Sequence, residues 1–175
     1  MASAPTPIVI RSATPEDAAA LWRAEVETAS SPGQLISRPN ELVLSAFAKK
    51  LGEVSPAGSY VVAEEGGTLV GHALVERMPL VALRHVVRLT VVVHPGHTGR
   101  GIGTALIQHL QRWATAEPDV EKIELLVRST NTGAVRLYRR LGFIEEGRFK
   151  NRVRLPDGQL VDDLAMAWFT KTGPG

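Results

Sequence analysis

The stretch from Val91 to Leu110, VVVHPGHTGRGIGTALIQHL, constrains this chain more than any other. A β-branched run ends at the turn His94-Pro95-Gly96, passes glycines at positions 99, 101 and 103, and continues as an amphipathic helical pattern. Glycines at this spacing let bare backbone N–H groups converge, and the following helix adds its positive N-terminal end, so the turn suits a phosphate or pyrophosphate. Of two known phosphate motifs, the P-loop fails the comparison and the dinucleotide fold stays as an alternative. A P-loop needs Lys and then Ser or Thr after its last glycine, whereas Gly101 is followed by Ile102 and Gly103. A dinucleotide fingerprint is served poorly by the spacing G-R-G-I-G, even with Asp119 and Glu121 at about the right distance for its acid.

Around that stretch the chain alternates strand and helix patterns. Ile8 to Arg11 reads as a strand, and Thr14-Pro15-Glu16-Asp17 opens a helix that runs to about Thr28. Ser30 to Pro39 is a loop, followed by a helical segment from about Asn40 to Leu51. Ser59 to Glu64 and Thr68 to Met78 form a hairpin about Glu65-Gly66-Gly67, and His85 to Val93 is the central strand. The helix after the glycines places Ile102, Leu106, Leu110, Trp113 and Ala114 on one stripe. Lys122 to Arg128 is then a strand parallel to the central one, because a helix intervenes. Asn131 caps a helix that stops at Gly142, and strands from Ile144 to Arg154 and Leu160 to Trp168 flank the turn Pro156-Asp157-Gly158.

At 175 residues and 44% hydrophobic, the chain has enough material for one core. A single domain over residues 7–170 is expected, with flexible tails at 1–6 and 171–175. There is no cysteine, which excludes a disulfide framework, a thiolate nucleophile and a cysteine-held metal. His72, His94, His97 and His109 form no metal-ligand spacing with nearby acids, so loop or surface roles and no metal are expected for them. Ser12, Ser59 and Ser129 sit in no nucleophile elbow, so covalent catalysis through a serine is not expected and any group transfer would be direct. The start MASAPTP lacks the pattern of a signal peptide and no apolar run reaches membrane-spanning length, so a cytoplasmic protein that engages no membrane is expected. A net charge of +2, without aromatics interleaved among the basic residues, points away from nucleic acid. The late basic cluster Arg136, Arg139, Arg140, Arg148, Lys150, Arg152 and Arg154 reads either as a solvated face or as a partner for phosphates or an acidic substrate.

A second motif, N-x-x-A-x-x-L-Y-x-x-L-G-F from Asn131 to Phe143, follows the glycine turn after a strand-forming run. Together the two motifs resemble the GNAT family of N-acetyltransferases, over about Ile8 to Phe169. In that family a strand ending in V-x-P leads into a loop Q/R-x-x-G-x-G/A, and here Thr98 stands where the family carries Arg or Gln. The resemblance implies an α/β (α+β) fold: a mixed, mostly antiparallel sheet of about seven strands with a splayed parallel pair, flanked by about four helices. It also implies a bulge in the central strand that opens the splay, acetyl-CoA as cosubstrate, a primary amine as acceptor, and a homodimer.

Carried over by position, the resemblance assigns the pantetheine arm to the strand backbone at Val91, Val92 and Val93. It assigns the pyrophosphate to Thr98, Gly99, Arg100, Gly101, Ile102, Gly103 and Thr104, and a further cofactor contact to Asn131. Tyr138 matches the tyrosine beside the thioester sulfur. A phenol, with an ordinary pKa near 10, is protonated at neutral pH and can donate to a departing thiolate, so Tyr138 is the expected general acid. The amine must attack in its neutral form, and His85, Glu76 and Glu124 are the candidate bases, His85 having the most suitable ordinary pKa. The C-terminal pattern, Glu145-Glu146-Gly147 and Gly158 to Asp162 followed by Met166, looks like the branch that acetylates amino acids and phosphinothricin-type amines. The leading expectation is transfer to a small amine such as an amino acid. Acetylation of a protein N-terminus, and a coenzyme-binding module without turnover, stand as alternatives.

Overall fold

The structure, a computed structural model, describes residues 6–57 and 59–171. Of the tails expected at 1–6 and 171–175, all but Thr6 and Lys171 lie outside the described residues. Strands β1 (Ile8–Ser12), β2 (Ser59–Glu65), β3 (Thr68–Arg77), β4 (Val86–Val93), β5 (Lys122–Arg128), β6 (Ile144–Arg154) and β7 (Leu160–Phe169) form one sheet in the order β1-β2-β3-β4-β5-β7-β6. All neighbours run antiparallel except β4 and β5. The helices among the described residues are α1 (Ala18–Ala29), α2 (Leu44–Ala57), α3 (Ile102–Ala116) and α4 (Thr132–Arg140). None of them is long and apolar enough to cross a membrane.

Side chains alternate across a strand, so each face of the sheet collects its own core. On one face Val61, Ala73, Val75, Val87 and Leu89 pack beneath Ile102, Leu106, Ile107 and Leu110 of α3. On the other, Tyr60, Val62 and Leu74 pack against Leu21 of α1 and against Phe47 and Leu51 of α2. Complete burial of a Leu, Ile or Val side chain contributes about 1.5–3 kcal/mol, so these two clusters fix the order of the layers. The α3 stripe also includes Ile107, beyond the residues expected, while Trp113 is only partly buried.

The β2–β3 hairpin turns on Gly66 and Gly67, both at positive φ (57° and 82°), as a two-residue turn matched to strand twist requires. The second helix departs from expectation. Pro39–Glu41 forms a single 3-10 turn, Leu42 is extended, and α2 begins only at Leu44. The cause lies outside the segment: the Trp22 indole N–H donates to the Leu42 carbonyl oxygen at 2.9 Å and holds it out of a helical ladder.

Candidate functional site

β4 and β5 share only the pairs Val86↔Lys122, Val87↔Ile123 and Arg88↔Glu124. Beyond Arg88, β4 stays with β3, and β5 keeps β7 over all of its residues. The two parallel strands therefore fork. No bulge produces this opening: the β3–β4 register runs unbroken from Arg77↔Val87 to Gly71↔Val93, a correction to the bulged strand that the resemblance implies.

The hydrogen bonds at the two ends of β4 reveal which backbone groups face the fork. The His94 N–H donates to Val70 O, and Val86 O accepts from Met78 N–H, both toward β3. By alternation Leu89, Val91 and Val93 direct their N–H and C=O groups toward the open β5 side, where Val91 and Val93 were expected to meet the cofactor arm. Val92 turns its main-chain polar groups to β3, and reaches the fork only through apolar surface.

A cavity of about 900 Å³ runs through the fork from one face of the sheet to the other. At one end lie Thr98, Gly99, Gly101, Ile102, Gly103 and Thr104. Gly99 and Gly101 hold φ of 75° and 80°, and Gly101 caps α3 with no side-chain hydrogen bond. The N–H groups of the first turn of α3 are thus left free, which is the donor set a pyrophosphate needs. Gly103 answers a different demand, since a Cβ there would lie 3.0 Å from Leu137 Cδ2 on α4. Arg100 does not line the cavity. With the chain turning at glycines on either side, its guanidinium leaves toward β2, donating to Glu65 Oε1 at 2.6 Å and to His97 Nδ1 at 3.0 Å. Arg140 is the one member of the late basic cluster that lines the cavity, while Arg139, Arg148 and Arg152 pair with Glu145, Asp162 and Asp163.

Asn131 caps α4 through its Oδ1, which accepts the Ala134 N–H at 3.2 Å, and it borders the cavity. Tyr138 lies on the cavity wall, its ring against Phe143 at 5.6 Å between centroids. Burial pushes its phenol up to about 12, partly opposed by the charge of Arg128, so it is protonated at neutral pH. Arg128 is itself a cavity residue that sequence reasoning passed over. It sits opposite Asp163 in the β5–β7 register, and that wholly buried carboxylate lies 3.3 Å from Arg128 Nε and 3.5 Å from Arg152 Nε.

None of the three expected bases reaches the cavity. His85 is exposed at the root of β4, where its carbonyl oxygen accepts the N–H groups of Glu121 and Lys122. Glu76 pairs with Lys50 at 3.3 Å, and Glu124 lies between Arg88 at 3.5 Å and Lys122 at 3.9 Å. The carboxylate that does line the cavity is Glu25 of α1.

Glu25 belongs to a group that overturns the expected surface roles of two histidines. His72 is wholly buried and His94 nearly so. Glu25 Oε1 lies 2.9 Å from His72 Nε2, His72 Nδ1 is 2.9 Å from His94 Nε2, and His94 Nδ1 is 2.9 Å from Leu69 O. The signals were present in the chain. Glu25 falls at a core position in the spacing Ala18, Leu21, Glu25, Thr28, and His72 interrupts the apolar run VGHALV. Among the described residues no group of His, Asp and Glu is arranged to hold a metal ion.

The acetyltransferase (GNAT) family model matches residues 21–143. The N-alpha-acetyltransferase RimI of Mycobacterium tuberculosis is 35% identical over 73% of this chain and 78% of its own length. The L-amino acid N-acetyltransferase AaaT of Escherichia coli is 30% identical over 64% of this chain and 68% of its own. In fold, the chain matches a phosphinothricin acetyltransferase from Sinorhizobium meliloti, solved in complex with acetyl-CoA, with a TM-score of 0.85 at 22% identity over 93% of this chain and 88% of that one.

Proposed function

The chain belongs to the acetyltransferase (GNAT) family and is an acetyl-CoA-dependent N-acetyltransferase, and we propose that residues 7–170 act as one domain that acetylates the α-amine of a small molecule, an amino acid or close analogue. The observation that carries this reading is the cavity through the β4–β5 fork, which joins free helix N–H groups at one end to an acceptor end between α1, α2 and their connecting loop at the other. The acceptor end is walled by Gln34, Leu35, Ile36 and Ser37 of the α1–α2 loop and by Leu42 and Phe47. Both the M. tuberculosis and the E. coli relative are named for acetylation of an α-amine or of an amino acid, which supports an α-amine as acceptor.

When bound, acetyl-CoA supplies an activated acetyl thioester. The amides at the start of α3 hold the pyrophosphate, and the free edge of Leu89, Val91 and Val93 bonds the amide-bearing arm, which draws the acyl end into the fork. An α-amine with pKa near 8 is about a tenth neutral at pH 7, so the acceptor needs orientation more than it needs a strong base. Tyr138, neutral and beside the fork, gives its proton to the departing thiolate as the C–S bond breaks, and the proton that the amine nitrogen sheds on forming the C–N bond restores the phenol by way of solvent. The 35% identity to the N-alpha-acetyltransferase favours a second reading, in which the α-amine is that of a protein N-terminus.

A thiol-release assay with acetyl-CoA against a panel of free amino acids, their analogues and short peptides tests the choice. Turnover of free amino acids, with the product acetylated at the α-nitrogen, is expected. Turnover restricted to peptides would replace the first reading by the second, and absence of turnover despite acetyl-CoA binding would overturn both.

A further inference from the structure

The line Glu25–His72–His94–Leu69 O admits a strict count of protons. A carbonyl oxygen only accepts, so His94 Nδ1 carries the hydrogen that points to Leu69 O. Burial, chiefly, lowers His94 to about 4, with the charge of His72 acting in the same direction, and His94 is therefore neutral with Nε2 as an acceptor. The hydrogen in the 2.9 Å contact between the histidines then belongs to His72 Nδ1. That leaves one proton in the 2.9 Å contact between His72 Nε2 and Glu25 Oε1. Either the pair is imidazolium and carboxylate, or it is imidazole and carboxylic acid, and in both forms its net charge is zero.

Tyr60 of β2 also faces this pair, with its ring 6.0 Å from that of His72. Burial raises the Tyr60 phenol, the charges of Glu25, Glu76 and Asp17 adding to it, so it neither supplies nor takes a proton near neutral pH. His72 has no exposed side-chain surface, while the Glu25 side chain is 16% exposed and lines the cavity. Of the four groups in this line Glu25 alone borders the cavity, and its second oxygen is the atom left to meet a ligand there.

Resting on the acetyltransferase reading above, we propose that Glu25 accepts an N–H of the entering amine, and that His72 and His94 are positioning residues that hold its other oxygen. Held at one oxygen, the carboxylate offers the second in a fixed direction, and little rotamer freedom remains to be lost when the amine arrives. The shared proton also lets one contact serve two forms of the acceptor. An arriving ammonium favours the carboxylate and imidazolium form. A neutral amine meets the same oxygen in the carboxylate form, an anionic acceptor that a neutral amide does not reproduce.

The test is Glu25→Gln, whose amide N–H satisfies His72 Nε2 and so preserves the fold. A charge-assisted hydrogen bond contributes roughly 10- to 100-fold, so kcat/KM for the amine is expected to fall by that factor, chiefly through KM, with the calorimetric Kd for acetyl-CoA within about twofold of wild type. Nitrogen-15 spectra of histidine-labelled protein read the positioning residues without turnover. They should show His94 as the neutral Nδ1–H tautomer from pH 5.5 to 8.5, and His72 protonated on Nδ1 in both proteins. An unchanged kcat/KM in Glu25→Gln, or a bare His72 Nδ1, would overturn the assignment. A wild-type protein inactive on every amine would instead strike the acetyltransferase reading, leaving the spectra to decide the proton count.

Discussion

Arg88 and Glu124 face one another as the last pair joining β4 to β5, and one residue further on their neighbours separate: Leu89 pairs with Val75 of β3, and Leu125 with Met166 of β7. Their ion pair, at 3.5 Å with the Arg88 side chain half exposed, marks the closed end of the fork. Exposed pairs of this kind contribute about 0–1 kcal/mol, so the charge is not what holds the strands together. The strand partners are. β7 holds β5 and β3 holds β4 by their outer edges on either side of the fork, and past Arg88 the inner edges diverge and stay unpaired.

Glu124→Gln and Glu76→Gln are expected to leave kcat/KM for the amine within about twofold of wild type, since neither carboxylate lines the cavity: Glu124 pairs with Arg88, and Glu76 meets the cavity wall only through its half-exposed pair with Lys50. Steady-state kinetics with an accepted amine make the check. A loss of a hundredfold or more in either variant would restore that residue as a base.

Tyr138→Phe keeps the ring packed against Phe143 and removes the donor. Positioned general acids contribute about 100- to 10,000-fold, so kcat should fall by at least about 100-fold with acetyl-CoA affinity nearly unchanged. The working form is the neutral phenol, which is lost only as pH rises through about 12. No alkaline decline of kcat below about pH 10 should therefore trace to this group, and one that vanishes in Tyr138→Phe would contradict the assignment.

Gly101→Ala tests the phosphate turn. Its φ of 80° lies in the left-handed region, where a Cβ costs roughly 1–2 kcal/mol, although no neighbouring atom stands within 4 Å of the added carbon. Tm should drop modestly while the Kd for acetyl-CoA rises by about tenfold or more, because relaxing the strain turns the N–H groups at the start of α3 away from the phosphates. A lowered Tm with unchanged Kd would place the phosphates elsewhere.

Much of this architecture was legible in local pattern. The strand limits at Lys122–Arg128 and Ile144–Arg154, the glycine stop after α4 and the two-glycine hairpin follow from alternation and turn chemistry that a few consecutive residues contain. The turn that leads into α3 was legible for the same reason. What escaped depends on partners far along the chain. Arg100 is drawn away from the cavity by Glu65, 35 residues earlier, and α2 starts late because Trp22 claims the Leu42 carbonyl oxygen. His72 and His94 resist a reading that assigns polar side chains to the surface, because what makes them stable inside is each other and Glu25, 47 residues before His72. Candidate bases chosen by residue type alone fell on the strand segments below the fork, where the ladder is closed.

Arg11 and Asp17 give a prediction on stability. Arg11 donates to both oxygens of Asp17, at 2.8 and 2.9 Å, and this holds the carboxyl below its ordinary value against the opposing effect of burial, with the Thr14 N–H assisting. A depressed folded-state pKa adds stability that is present above the unfolded value near 3.9, and is lost as pH falls through the folded value. Asp17→Asn should thus be less stable than wild type by about 1–2 kcal/mol at pH 7, from the lost cap and ion pair, with the gap shrinking below about pH 4. Urea unfolding at pH 7 and pH 3.5 makes the comparison, and a gap independent of pH would contradict it.

The fork itself is tested most directly by residue-resolved amide hydrogen exchange with and without acetyl-CoA. Ligand should slow exchange at Leu89, Val91 and Val93 and at Ile102, Gly103 and Thr104, and leave Val86, Val87 and Arg88, where the two strands are already joined, unchanged. Protection confined to other parts of the sheet, or none at saturating acetyl-CoA, would contradict the account.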